Sequence, residues 1–241
     1  FNLNVSNSST YLILTLNGDN TYTGPTQITG SNFRSIVSID HPNALGAASA
    51  GTTVQSPITL RIGTAGPVAE PITFDSSASG ITLESNAAAV LSGALVFNAN
   101  ANVTGSFFNM SGEVSGSSPI SVNMNTGTQR LQLSAANSYT GAINVIAGAL
   151  EVNGSLANAS NAVTIASGTK LGGNGTINRP VTVASGGILS PGPDSSTAST
   201  GTLTVNRLTA SSGAVFNFNL GAAGVEGGSL NDMVAVTENI P

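Results

Sequence analysis

VTIASGTKL occupies residues 163–171 and VTVASGGIL residues 181–189, so nearly the same nine residues are written twice, 18 positions apart. A closed globular core has no use for a segment copied at fixed spacing, whereas a structure that stacks one unit on the next does. Both stretches contain Val-Thr-x-Ala-Ser-Gly, as Val163 to Gly168 and Val181 to Gly186. Val163 and Ile165 face one way and Thr164 the other, which is the period of a β-strand. The glycine that follows can take positive φ and turn the chain. Two looser copies extend the series, INVIAGAL at 143–150 and LTASSGAVF at 208–216. Gly148, Gly168, Gly186 and Gly213 hold the same place in the four, at spacings of 20, 18 and 27. The long last interval contains the insertion SPGPDSSTASTG, 190–201, read here as a protruding surface loop.

A larger echo joins LTLNGDNTYTG (14–24) to LQLSAANSYTG (131–141), 117 residues apart, with Leu14/Leu131, Leu16/Leu133, Asn20/Asn137 and the two Tyr-Thr-Gly triplets aligned. Ile-Thr-apolar triplets recur at Ile58–Leu60, Ile72–Phe74 and Ile81–Leu83. No amphipathic stretch is long enough for a helical solenoid, and propeller-blade periods and signatures are absent. Coils of two or three short strands fit a parallel β-helix, in which Val163 rests on Val181 and Ile165 on Val183, about 4.8 Å apart. At roughly 20 to 25 residues per coil, the chain forms a single all-β solenoid domain over 1–241, of about 10 coils and about 50 Å in length. The crossover rule favours a right-handed winding.

Composition narrows the chemistry. Only 7% of the 241 residues are charged, 40% are hydrophobic, 29 are glycine and the formal net charge is −5. A globular domain usually carries about 25% charged residues. Ser, Thr and Asn take their place, giving outward hydrogen-bonding ladders and a hydrated, nearly neutral surface. The six basic residues, Arg34, Arg61, Arg130, Lys170, Arg179 and Arg207, lie far apart, so no patch follows a nucleic-acid backbone. No apolar run reaches the length of a membrane span. There is no cysteine, hence no disulfide framework, thiolate metal site or cysteine nucleophile. FNLNVSNSS is not a signal peptide and carries no initiator Met, which is expected of a processed or excised piece of a longer exported chain.

Residues 137–192 resemble the passenger-associated repeat of bacterial autotransporter proteins. The features that carry the resemblance are Tyr139-Thr140-Gly141, Gly148-Ala149-Leu150, LGGNGTI at 171–177, GGILSPG at 186–192 and then GTLTV at 201–205. NTYTGPTQI with NALG (43–46) is a weaker copy near the N-terminus. The likeness covers about a third of the chain strongly and another third loosely; residues 85–130 lie outside it. It implies a right-handed β-helical passenger, exported to the cell surface or beyond, acting as a non-enzymatic stalk or adhesin. Two alternatives stand beside this reading: a filament subunit that joins end to end by strand addition, and a polysaccharide-degrading β-helix enzyme. Self-association through open ends, or a host surface, matrix or glycan ligand, is the expected partner.

Candidate sites are few. His41, the single histidine, sits beside Asp40 on the Pro-containing stretch SIDHPNALG and reads as a turn, because no Gly-x-Ser-x-Gly elbow accompanies it. The acids Asp19, Asp40, Glu70, Asp75, Glu84, Glu113, Glu151, Asp194, Glu226, Asp232 and Glu238 contain no Asp-Asp or Asp-x-Asp motif. Only stacking could assemble the carboxylate pairs that glycan cleavage needs. Gly172-Gly173-Asn174-Gly175-Thr176-Ile177 approaches a calcium-binding nonapeptide, but Ile177 replaces the ligating Asp, so it reads as a turn. Tyr22 and Tyr139 are read as corner packing rather than sugar-stacking platforms. No catalytic residue, metal ligand or cofactor is assigned. At the ends, FNLNV (1–5) and FNFNL (216–220) alternate, YLILTL (11–16) reads as fully buried, and DMVAVTENI (232–240) as the start of a further coil; no capping helix is visible.

Overall fold

The computed structural model describes residues 3–7, 11–30, 35–55, 57–64, 66–75, 80–126, 128–193, 199–227 and 229–238. Among these the regular structure is all strand, with no helix, and the inter-strand ladders are parallel. Val163–Ile165 lies on Val181–Val183 residue for residue, as the copied segments require. The four related segments form one stack: Ile143, Val163, Val181 and Leu208 occupy successive rungs. Gly148, Gly168, Gly186 and Gly213 have φ of 76°, 75°, 76° and 86°, so each turns the chain at the same place through a conformation only glycine adopts freely.

The coils have three faces. One carries Leu3–Asn7, Thr26–Gly30, Thr52–Val54, Ile72–Phe74, Leu95–Phe97 and Val114–Gly116. Beyond it the ladder passes through a side chain: Asn137 accepts the Val114 amide at 2.8 Å and donates to the Ser155 carbonyl at 2.9 Å. The second face is continuous. Leu14, Val37, Leu60, Leu83, Val103, Val122, Val145, Ile165, Val183 and Ala210 pair in turn, at intervals of 18 to 27 residues. The third face stacks Ala89, Phe108, Leu131, Leu150, Leu171, Leu189 and Phe216.

The core is the space these columns enclose. Alternation along each strand sends one residue in two inward, and an inward Val, Ile or Leu contributes about 1.5–3 kcal/mol on burial. Phe74 and Phe97 stack with centroids 4.7 Å apart, and Tyr139 meets Phe97 edge-on at 6.4 Å. One corner is nearly flush. A Cβ on Gly112 would stand 2.1 Å from the Gly93 carbonyl oxygen, one on Gly154 1.9 Å from that of Ala135, and one on Gly175 2.0 Å from that of Gly154. Those glycines permit backbone to stack on backbone where the coil bends.

One pattern is placed by the structure, and one expectation needs correction. The 117-residue echo does not stack at one corner. Leu14 belongs to the second face and Leu131 to the third, so Tyr22 and Tyr139 serve different corners. In both copies a strand, a bend with Tyr-Thr-Gly and a further strand follow one another, on different faces of the coil in the two. Tyr11–Leu16 is not fully buried either: Tyr11 is 60% and Ile13 51% exposed, and only Leu14 and Leu16 pack on the core. Phe1 and Asn2 lie outside the described residues, as do residues 239 and 240 of the last expected strand, whose Met233–Val236 pairs with Thr202–Val205.

The two uses of glycine separate experimentally. Gly168→Ala meets open space but keeps a left-handed backbone, at about 1–2 kcal/mol. Gly154→Ala needs no unusual φ but must drive a carbonyl aside. Urea unfolding should therefore show a clearly larger loss of midpoint for Gly154→Ala than for Gly168→Ala.

Candidate functional site

The outward residues of the second face form a column of their own: Thr59, Thr82, Asn102, Ser121, Asn144, Thr164, Thr182 and Thr209. Eight successive rungs thus present a hydroxyl or carboxamide at the inter-strand repeat of about 4.8 Å. The neighbouring outward column carries an ion pair, Arg61 Nε to Glu84 at 2.9 Å, then Thr104 and Asn123. A groove of about 310 Å³ lies along this face, lined by Asn100, Asn102, Pro119, Ser121 and Ile146. A bulge opposite Val122 and Asn123 accompanies the outward turn of Ile146, which is 51% exposed. These groups can donate and accept hydrogen bonds but do not move protons near neutrality.

Charge inside the coil is handled separately. Arg179 is fully buried. Its Nη1 donates to the Gly141 carbonyl at 2.8 Å, its Nε and Nη2 to that of Ala157 at 3.2 and 3.1 Å, and Nη2 also to that of Tyr139. One side chain thus satisfies carbonyls from the two preceding coils, and its guanidinium lies 5.8 Å from the Tyr139 ring centroid. Burial lowers the Arg179 pKa and raises that of Tyr139, whose hydroxyl donates to the Ser118 carbonyl. Glu151, also buried, pairs with Arg130 at 3.1 Å, and Arg130 covers the Phe107 ring at 4.8 Å. Asp232 accepts the amides of Gly201 and Asn219 at 2.8 and 2.7 Å, and Asn231 ties Gly221, Ala222 and Val225, so the Asn-Asp pair clasps the loop 219–232.

The residues singled out from the sequence do not converge. His41 Nδ1 accepts the Asn43 amide at 3.2 Å, and Asp40 accepts the Ser38 hydroxyl at 2.7 Å; both belong to the turn. Among the described residues, no group of three or more His, Asp or Glu side chains comes together. Asp19 holds Asn43 at 2.8 Å, Glu113 accepts from Ser138, and Glu238 pairs with Arg207 at 2.7 Å. Asp19 and Glu70 line one notch, and Glu226 and Asp232 line the cup beside the 219–232 loop. Asp194 and the insertion at 194–198 lie outside the described residues; Ser190 and Pro191 belong to the strand Ile188–Pro191. Gly172 to Ile177 is a corner, with Ile177 buried in the core. Tyr139 has no exposed ring to offer, and Tyr22 is half-buried with its hydroxyl 2.8 Å from that of Thr26.

Sequence reading missed Arg179 and Glu70 as interior residues, yet the signal was present. Arg179 shares the parity of Ile177 and Val181, and Glu70 that of Val68 and Ile72, and all six are buried. An ionisable residue at inward parity in a strand run is the mark to look for.

Residues 13–30 and 126–152 match the passenger-associated-transport-repeat family. Each matched segment holds a strand, a Tyr-Thr-Gly corner and a strand, so the chain carries repeats of the kind found in autotransporter passengers. A stretch of 126 residues is 35% identical to the adhesin BmaC autotransporter of Brucella suis biovar 1 (strain 1330). That stretch is 52% of this chain and 4% of the relative's length. No solved structure matches.

Removing the Arg179 side chain leaves three carbonyls without their donor, those of Tyr139 and Gly141 buried and that of Ala157 partly so, at roughly 1 kcal/mol or more each. Arg179→Met should therefore lower unfolding free energy by about 3 kcal/mol, with Arg179→Lys intermediate because one ammonium cannot span the three acceptors. Denaturant unfolding of the three proteins checks both figures.

Proposed function

We propose that the chain is a segment of an exported, adhesin-like passenger, displayed at the bacterial surface or released from it, and that it acts without catalysis. Its role is to hold binding surface away from the membrane on a stiff rod and to engage a host surface, matrix or glycan through many weak hydrogen bonds. The observation that carries this reading is the uncharged outward column from Thr59 to Thr209 on a continuous parallel ladder. The repeat match and the similarity to an autotransporter adhesin support it.

A contact made by hydroxyls and carboxamides loses little to ionic screening, unlike one made by charges. Purified chain should bind immobilised matrix proteins or glycans with an affinity nearly constant between low and high salt. Lysines introduced together at Thr164 and Thr182 should weaken that binding and make it salt-dependent. New reducing or unsaturated ends on a polysaccharide panel would overturn the non-enzymatic reading.

A second reading, end-to-end assembly of copies, has its own observation. Phe216, Phe218, Leu220 and Leu230 are 44%, 41%, 77% and 50% exposed at one end of the coil, and Tyr11 and Ile13 at the other. A second copy docked head to tail on these side chains would cover them. Light scattering that rises with concentration, and is lost on Phe216→Ser with Leu230→Ser, is the expected result; a concentration-independent monomer rules this assembly out.

A further inference from the structure

Glu70 stands where the corner changes character. Its carbonyl oxygen is overlaid so closely by Gly93 that a Cβ there would come within 2.3 Å. Beyond that residue the corner continues flush through Gly112, Gly154 and Gly175. On the other side the bends through 19–21 and 42–48 are long and leave a notch of about 270 Å³, lined by Asp19, Asn20, Asn43 and Glu70 among others. The Glu70 backbone is thus clamped on one side while its side chain reaches the other way, into the coil interior. There Oε1 accepts the Thr52 hydroxyl at 3.2 Å. Among the described residues Oε2 has no hydrogen-bond partner, although Glu70 is only 4% exposed.

A carboxylate in that position leaves a charged oxygen dry and unpaired, at high cost; the neutral acid does not. We propose that Glu70 is a proton-operated latch on this edge of the solenoid: as the neutral acid it holds the bend at 69–71 against the Thr52 strand, and as the carboxylate it lets that bend open toward the notch. The groups around it favour this. Thr26 is buried one rung from Thr52 and engaged with Tyr22 and the Leu45 carbonyl. Tyr22 is the titratable group coupled to Glu70, and it is neutral throughout the working range because burial raises its pKa. Asp19 also lines the notch, where it accepts the Asn43 side-chain amide at 2.8 Å. Asp40 and His41, on the adjoining bend, are engaged with Ser38 and Asn43. No basic side chain is among the residues that line the notch.

Burial raises the Glu70 pKa above the ordinary glutamate value, with the Thr52 hydrogen bond opposing. The folded state therefore binds the proton more tightly than the unfolded chain. The latch is fully closed below the unfolded glutamate pKa, and its contribution is lost as pH rises through the higher folded value.

The test is amide hydrogen exchange on the intact chain, expressed as protection factors, in acid and at neutral pH. Protection of 52–54 and 66–75 should fall by about ten-fold or more between the two in the wild type and stay high at both in Glu70→Gln. An equal fall in Glu70→Gln, or no fall in the wild type, overturns the proposal. Should the variant not fold, carbon-13 titration of the wild-type Glu70 carboxyl decides: a midpoint above ordinary glutamates supports the latch, and one at or below them refutes it.

Discussion

The parallel ladders depend on register between neighbouring coils. A strand pairs with the strand one turn earlier, and its side chains alternate, so a slip of one residue would turn a whole apolar column outward. The second face shows how the chain meets this demand. From Leu14 to Ala210 the interval between paired residues varies from 18 to 27, yet the inward column is never interrupted. Differences in coil length are absorbed between the paired strands and by small register shifts such as that near Ile146.

Bends are also where backbone groups turn inward and would be stranded without partners. The chain meets this in two ways. Where coils stack flush, glycines let carbonyls and amides approach directly, as at Gly154 and Gly175. Where the path is wider, one polar side chain bridges the gap: Asn137 replaces a rung of the first face, Asp232 gathers two amides near the last coil, and Arg179 collects three carbonyls. Glu70 is the member of this set whose bonding is incomplete, and it lies beside open space. Interior chemistry and surface chemistry are thereby separated. Arg179 and Glu70 turn inward, while the outward column from Thr59 to Thr209 shows only hydroxyls and amides.

The ladders were legible in the sequence because parallel stacking repeats its instructions. Four segments with a turn glycine in the same place declared both the strand and its rung, and the structure stacks all four. The 117-residue echo was harder to place. It encodes a strand, a bend and a strand, and nothing in those residues says which of three equivalent corners they will form. The buried carbonyl acceptors of Arg179 could not be read at all, since they are backbone atoms of Tyr139, Gly141 and Ala157 brought together by two full turns of winding. Its inward parity was readable, and so was that of Glu70. Assignment by charge alone sends such residues to solvent; assignment by alternation sends them to the core.

Arg179 differs from the ladders in one respect that matters for a rod under load. Strand pairing joins each coil to its immediate neighbours, so tension along the axis would peel the stack one rung at a time, each break weakening the next. The guanidinium reaches past its neighbour to a coil two turns away, and three layers must then yield together. A tear running along the stack of coils would stall there, as cloth stops ripping at a reinforcing thread.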